Sequence, residues 1–148
     1  MVCDLISHTG YWMRMISNAV SHGFARRLAL EDVTVAEWVL MRSLYDEGPI
    51  SPSVLAEKMH MTKGAVSKLA DRLATKAFIE RIGNHRDRRA HSLVLTVAGR
   101  EKVPRLAALA DQNDAEYFDV LTGQERVALD ELLKSLVERR GLKTVPVK

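Results

Sequence analysis

Apolar residues recur at helical spacing along most of this chain, and at strand spacing in one short stretch. Leu5 to about Leu30 predicts a long first helix, with Trp12, Ile16, Ala19, Val20 and Phe24 in register and Gly10 and Gly23 as weak points. Thr34-Val35-Ala36-Glu37 is a capping box that starts a second helix carrying Trp38, Leu40, Met41, Leu44 and Tyr45, and Gly48-Pro49 ends it. Ser51 then caps a third helix with Pro52 in its first turn, where proline is tolerated, and Val54, Leu55 and Met59 facing inward. Thr62 caps a fourth, in which Val66, Leu69, Ala70, Leu73 and Ala77 share one face. Phe78, Ile79 and Ile82, then Leu93, Val94 and Leu95, predict two short strands around a loop over residues 84–91. Thr96 caps a long fifth helix, in which Pro104 predicts a kink or a late start. Its apolar stripe runs through Leu106, Leu109 and Ala110 to Tyr117, Phe118 and Leu121. Thr122-Gly123-Gln124-Glu125 is a second capping box for a last helix carrying Leu129, Leu132, Leu133, Leu136 and Val137, ended by Gly141. Residues 142–148, with Pro146, read as a frayed tail. The fold class is mainly α with a small β-wing.

The polar side of the fourth helix is chemically distinctive. Thr62, Lys63, Gly64, Ser67, Lys68, Asp71 and Arg72 lie opposite its apolar face, short and rich in donors towards the N-terminus. A supporting helix, a tight turn and such a helix make a helix-turn-helix pattern, whose second helix offers its N-terminal residues to base edges in the major groove. The loop that follows carries Arg86, Asp87, Arg88 and Arg89. An arginine on a protruding loop can enter the minor groove, where the potential is negative. Asp87 stands two residues from Arg89 and can fix its direction. The simpler reading of both features is a solvated charged surface; their succession along the chain favours double-stranded DNA.

Charge is distributed to match. The 148 residues carry a net charge of only +3. Residues 58–102 contain 11 Lys and Arg against 4 Asp and Glu, a local +7, and the remainder sums to −4. A basic middle between acidic ends is a local footprint for a polyanion. Hydrophobic content of 47% and charged content of 28% suit a single globular domain.

Other chemistry finds little support. No GxGxxG, Walker, HExxH or CxxC motif occurs, so neither an enzyme nor a cofactor is expected. The five histidines are scattered; His85, Asp87 and His91 are the one conceivable metal group, and none is expected there. One cysteine, Cys3, precludes an internal disulfide and fits a reducing compartment. The N-terminal decapeptide has no secretory pattern and no run of 18 apolar residues exists, so a cytoplasmic location away from membranes is expected.

The terminal helices exceed what a winged-helix core of roughly 70 residues needs, since two-layer packing leaves their apolar stripes uncovered. A homodimer would cover them, the alternative being a monomer that packs its helices inward, and two-fold symmetry would place two recognition helices about 34 Å apart on a pseudo-palindromic site. Residues 34–99 are then the DNA-binding lobe, with 1–33 and 100–140 the helical dimerisation region.

Asp87-x-Arg89 followed by Leu95-Thr96-x-x-Gly99, with LAEKMHMTKGAVSKLADRL upstream, resembles the signature of the MarR family of winged helix-turn-helix regulators, from about Leu5 to Val137. The family usually has Gly where this chain has His60 and Ala77. The resemblance implies an intertwined helical homodimer, repression, and release from DNA by a small aromatic or phenolic anion bound between the dimer region and the DNA-binding lobe. Tyr11, Trp12, Met15, Trp38 and Met41 are the candidate lining, with Arg14 or Arg42 for a carboxylate; the alternative is that all five are core or interface. Two rival readings are a winged-helix module that binds protein, and a ligand-binding or small catalytic protein with an incidental basic patch. Cys3 as an oxidant sensor, as in some relatives, is a further alternative to a bystander thiol.

Overall fold

The structure, a computed structural model, describes residues 1–84 and 87–147, with the backbone alone for residues 84 and 87–90. A 3-10 turn, Leu5–Ser7, precedes α1 (Thr9–Ala29), α2 (Val35–Tyr45), α3 (Pro52–Met59), α4 (Lys63–Thr75), β1 (Ile79–Asn84), β2 (Asp87–Leu95), α5 (Val97–Phe118) and α6 (Gly123–Arg140). Five of the six α-helix starts, all but that of α1, follow from side chains that accept otherwise unpaired N–H groups. At α2 the Thr34 N–H donates to Glu37 Oε1 (2.9 Å) and the Glu37 N–H to Thr34 Oγ1 (3.2 Å), and Thr122 and Glu125 repeat the exchange at α6. Ser51, Thr62 and Thr96 each accept from the N–H three residues on. Gly141 closes α6 in the left-handed region, at φ 64°.

One core lies beneath α4 and the hairpin. It gathers Leu40, Met41 and Leu44 of α2, Leu55, Ala56 and Met59 of α3, Val66, Leu69, Ala70 and Leu73 of α4, and Val103 and Leu106 of α5, with Leu28, Ile79, Leu93 and Leu95. Each fully buried leucine contributes about 1.5–3 kcal/mol relative to exposure. The two strands are antiparallel, pairing Ile79 with Leu95 and Arg81 with Leu93. Ile50 adds a bridge to Leu93, with backbone bonds of 3.1 and 2.8 Å, so the approach to α3 is tied to the wing.

Several expectations are corrected. The first helix begins at Thr9 rather than Leu5, because His8 is extended (φ −101°, ψ 125°); Trp12 Nε1 instead donates back to the Ile6 carbonyl at 3.0 Å. Gly23 is no weak point but the place where α1 meets α5, since a Cβ there would lie 2.6 Å from the Tyr117 ring and 2.7 Å from Asn113 Oδ1. Asn113 is buried there and donates to the Val20 carbonyl at 3.0 Å. Val54 and Ile82 are exposed, because α3 and β1 bury their other faces. Ala77 lies beyond α4, exposed and at φ 65°, and not on its apolar face. The late start considered at Pro104 does not occur; α5 runs through it from Val97. The hairpin is longer than expected: β2 begins at Asp87, opposite Asn84, so Arg88 and Arg89 sit on a strand. Gly83 pairs with His91, which leaves 88–90 as a bulge in the register.

α6 buries none of its residues, and α1 buries only Gly23 and Leu28. Trp12, Met13, Met15, Ile16, Leu132, Leu133, Leu136 and Val137 are all exposed. Among the described residues no helix is long and apolar enough to cross a membrane.

Candidate nucleic-acid interface

α4 stands on the core by Val66, Leu69, Ala70 and Leu73, and that fixes what faces outward. Thr62 spends its hydroxyl oxygen on the Ala65 N–H (3.1 Å), which leaves other first-turn N–H groups pointing outward. These donors and the positive end of the helix dipole suit a phosphate or a base acceptor. Lys63, Gly64, Lys68 and Arg72 are exposed and Ser67 half-buried on the same side. A Cβ at Gly64 would meet nothing within 4 Å, so packing inside the chain does not account for glycine here. Among the described residues Lys63, Lys68 and Arg72 form no ion pair, whereas Asp71 is paired with Arg81 of β1. That pair links the helix to the wing and offsets the one carboxylate on the face. Arg86 lies outside the described residues, as do the side chains of Asp87, Arg88 and Arg89 and the suggested Asp87–Arg89 pair.

The far end of α4 is held more firmly. Lys76, its C-cap, donates from Nζ to Glu37 Oε2 (2.9 Å), Glu37 Oε1 (3.1 Å) and the Asp32 carbonyl (2.6 Å). The Glu37 side chain is 0% exposed and that of Lys76 23%. In sequence Glu37 shows as half of a capping box and Lys76 has no evident role; the available signal was that Glu37, Leu40, Met41 and Leu44 stand at i, i+3, i+4 and i+7, which puts the carboxylate on the buried face of α2.

The wing is joined to α5 at one point. Thr96 donates its hydroxyl to the Ala77 carbonyl (2.7 Å) and its N–H to the Phe78 carbonyl (3.0 Å) while capping α5. Gly99 packs onto the Phe78 backbone. Leu95-Thr96-x-x-Gly99 therefore acts as a joint: a buried strand end, a cap, and a residue without a side chain. On the other side, the Glu31 carboxylate is held below its ordinary range by hydrogen bonds from Lys102 and Arg105 of α5, outweighing the effect of its partial burial.

The five candidate ligand-lining residues do not form one pocket within the chain. Met41 is fully buried among Leu40, Leu44 and their neighbours, and so is core. Trp38 is half-buried against that core. Tyr11 is half-buried and Trp12 and Met15 are exposed on α1, the two rings edge to face at 5.2 Å. Arg14 is exposed; Arg42 pairs with Asp46 (2.7 Å) and lies over the Tyr45 ring. Cys3 is an exposed free thiol. Among the described residues no group of three or more His, Cys, Asp or Glu is arranged to hold a metal; the His85, Asp87 and His91 group extends outside them.

A capped recognition helix on a supporting helix, followed by an antiparallel hairpin returning into a long helix, defines a winged helix-turn-helix protein. The chain belongs to the MarR family of transcriptional regulators, whose sequence profile matches residues 33–91. It is 32% identical over 108 residues to the HTH-type transcriptional repressor MdtR of Bacillus subtilis, covering 73% of this chain and 70% of that one. It is 29% identical over 107 residues to the multiple antibiotic resistance protein MarR of Escherichia coli, covering 72% and 74% of the two. The crystal structure of YusO from Bacillus subtilis matches with a TM-score of 0.75 at 28% identity, over 90% of this chain and 95% of that one. A mutant of Escherichia coli MarR complexed with operator DNA matches at 0.73 and 26%, over 86% and 92%.

Proposed function

We propose that this chain is a repressor that binds a pseudo-palindromic operator as a homodimer and acts by binding, not by catalysis. The observation that carries the reading is the outward face of α4: a capped N-terminus with outward donors, Gly64 in open space, and Lys63, Lys68 and Arg72 without acidic partners among the described residues. Thr62, Lys63, Gly64 and Ser67 would meet the major groove, Lys68 and Arg72 its phosphates, and Arg89 of the wing the minor groove, with Arg86 and Arg88 on phosphates. That the similar Escherichia coli MarR mutant is complexed with operator DNA supports DNA as the partner. The dimer is supported by α6, which buries nothing, and by the exposed apolar residues of α1. Release by a small aromatic anion is supported by Tyr11, Trp12, Met15 and Trp38, which stay wholly or partly accessible for a site that a second protomer completes.

Selection of bound sequences from random duplex DNA tests the reading. A two-fold symmetric consensus is expected, with half-sites about one helical turn apart and affinity falling steeply with salt. A chain that sediments as a monomer and selects no consensus would overturn it. Repeating the selection with a panel of aromatic acids tests release; an unchanged yield with every acid would remove the effector.

A further inference from the structure

Lys76 ends the recognition helix and enters a site built for it. Its ammonium group has three protons and meets three acceptors, both oxygens of Glu37 and the Asp32 carbonyl. Glu37 is fully buried and also accepts the Thr34 N–H, so the carboxylate is held independently of Lys76. Asp32 lies in the turn before α2 at φ 56°, and Ala77 beside Lys76 at φ 65°. Both are left-handed caps that close a helix, α1 at Asp32 (Val33 N–H to the Leu28 carbonyl, 3.1 Å) and α4 at Ala77 (Phe78 N–H to the Leu73 carbonyl, 2.9 Å), so the pair lies where two helix ends meet. An apolar pair of similar size at such a place is often as stable as a buried ion pair, or more so. What directional charged bonds add is a defined position.

We propose that Lys76 and Glu37 are positioning residues for DNA recognition: their buried pair sets where α4 ends against α2, and hence where its groove-facing end lies. The proposal rests on the DNA-binding reading above. α4 has 13 residues, a rod about 20 Å long, so a tilt of about 3° at Lys76 moves Thr62 by about 1 Å. Binding groups must be held within about 0.5 Å to keep their geometry. Lys76 touches no DNA in this scheme; it acts through Lys63, Ser67 and Lys68.

The test compares a duplex selected by the wild-type chain with an unselected duplex of equal length. Lys76→Met combined with Glu37→Gln removes both charges, leaves no buried charge unpaired, and keeps an acceptor for the Thr34 N–H. We expect this variant to melt close to wild type and to bind the unselected duplex within about twofold, with the same salt slope. Its affinity for the selected duplex should fall about tenfold to a hundredfold, the worth of one lost base contact. Should the double variant not fold, Glu37→Gln alone carries the same comparison, since Lys76 is partly exposed and keeps the Asp32 carbonyl. A wild-type ratio of selected to unselected affinity in a folded variant would overturn the proposal and leave the pair a stabiliser. Equal losses on both duplexes, with a salt slope shallower by about one, would overturn it too, since Lys76 would then be a phosphate contact. If the wild-type chain selects no sequence, the DNA-binding reading itself has failed; a failure confined to the variants touches only this inference.

Discussion

Gly99 is seated against the carbonyl of Phe78 so closely that a Cβ at position 99 would overlap that backbone group, with Leu95 Cδ2 closing the space at 3.2 Å. The contact joins the first turn of α5 to the residue leading into β1. Neither backbone can retreat: Phe78 also accepts the Thr96 N–H, and its own N–H donates to the Leu73 carbonyl at 2.9 Å. Gly99→Ala is therefore expected to destabilise the chain by about 3 kcal/mol, at the upper end of what one inserted carbon costs in a tight interior. Urea unfolding checks it; an unchanged midpoint would mean the joint is slack.

Ala77 offers the opposite experiment. It holds φ 65° without the freedom of glycine, and its side chain is exposed. Ala77→Gly relieves a left-handed conformation that costs an L residue about 1–2 kcal/mol, partly offset by the greater flexibility of glycine when unfolded. A net gain of about 0.5–1 kcal/mol in denaturant unfolding is expected. A loss would show that the alanine methyl makes a contact that matters.

At the DNA-facing surface the two kinds of contact separate by salt dependence. Lys68→Ala should weaken binding to all duplexes and lower the salt slope by about one, because a phosphate contact releases a counterion. Arg89→Ala should cost about 1–3 kcal/mol on the preferred sequence and relax selectivity. Titrations of both variants at several salt concentrations decide the matter. Unchanged operator affinity in the arginine variant would remove the wing from the mechanism.

Acid should loosen the attachment of α5. Glu31 is held below its ordinary value of 4.5 by hydrogen bonds from Lys102 and Arg105, and Glu125 by its bond from the Thr122 backbone. A carboxylate with a lower pKa folded than unfolded contributes stability that is fully present above the unfolded value and is lost as pH falls through the folded one. Stability should therefore decline below about pH 4.5, the unfolded reference value. Glu31→Gln should be less stable than wild type near neutrality, with the difference shrinking in acid. Unfolding curves from pH 7 down to pH 3 measure it; parallel loss in both proteins would exclude Glu31 as a contributor.

The starts of α2 to α6 were legible because they are local, whereas α1, which has no side-chain cap, begins four residues later than its apolar pattern predicts. Thr34 with Glu37, Ser51, Thr62, Thr96 and Thr122 each bond a backbone group three residues away, so residue type and spacing suffice. The apolar face of α4 and the existence of the wing were legible from periodicity for the same reason. Burial of particular residues was not. Val54 and Met41 both read as helical apolar positions, yet Val54 is exposed and Met41 is enclosed, and Ile82, three positions from the buried Ile79, falls on the opposite face of its strand and is exposed.

The order of helices, the polar face of α4 and the arginine-bearing hairpin were determined by sequence alone, since each depends on neighbours within a turn or two. Only the tertiary structure decided how the helix ends are placed. Glu37 meets Lys76 across 39 positions, Thr96 reaches the Ala77 carbonyl across 19, and Gly23 admits Asn113 and Tyr117 from another helix. Such contacts depend on where separate elements come to rest, and core packing, rather than the periodicity of either partner, sets that distance.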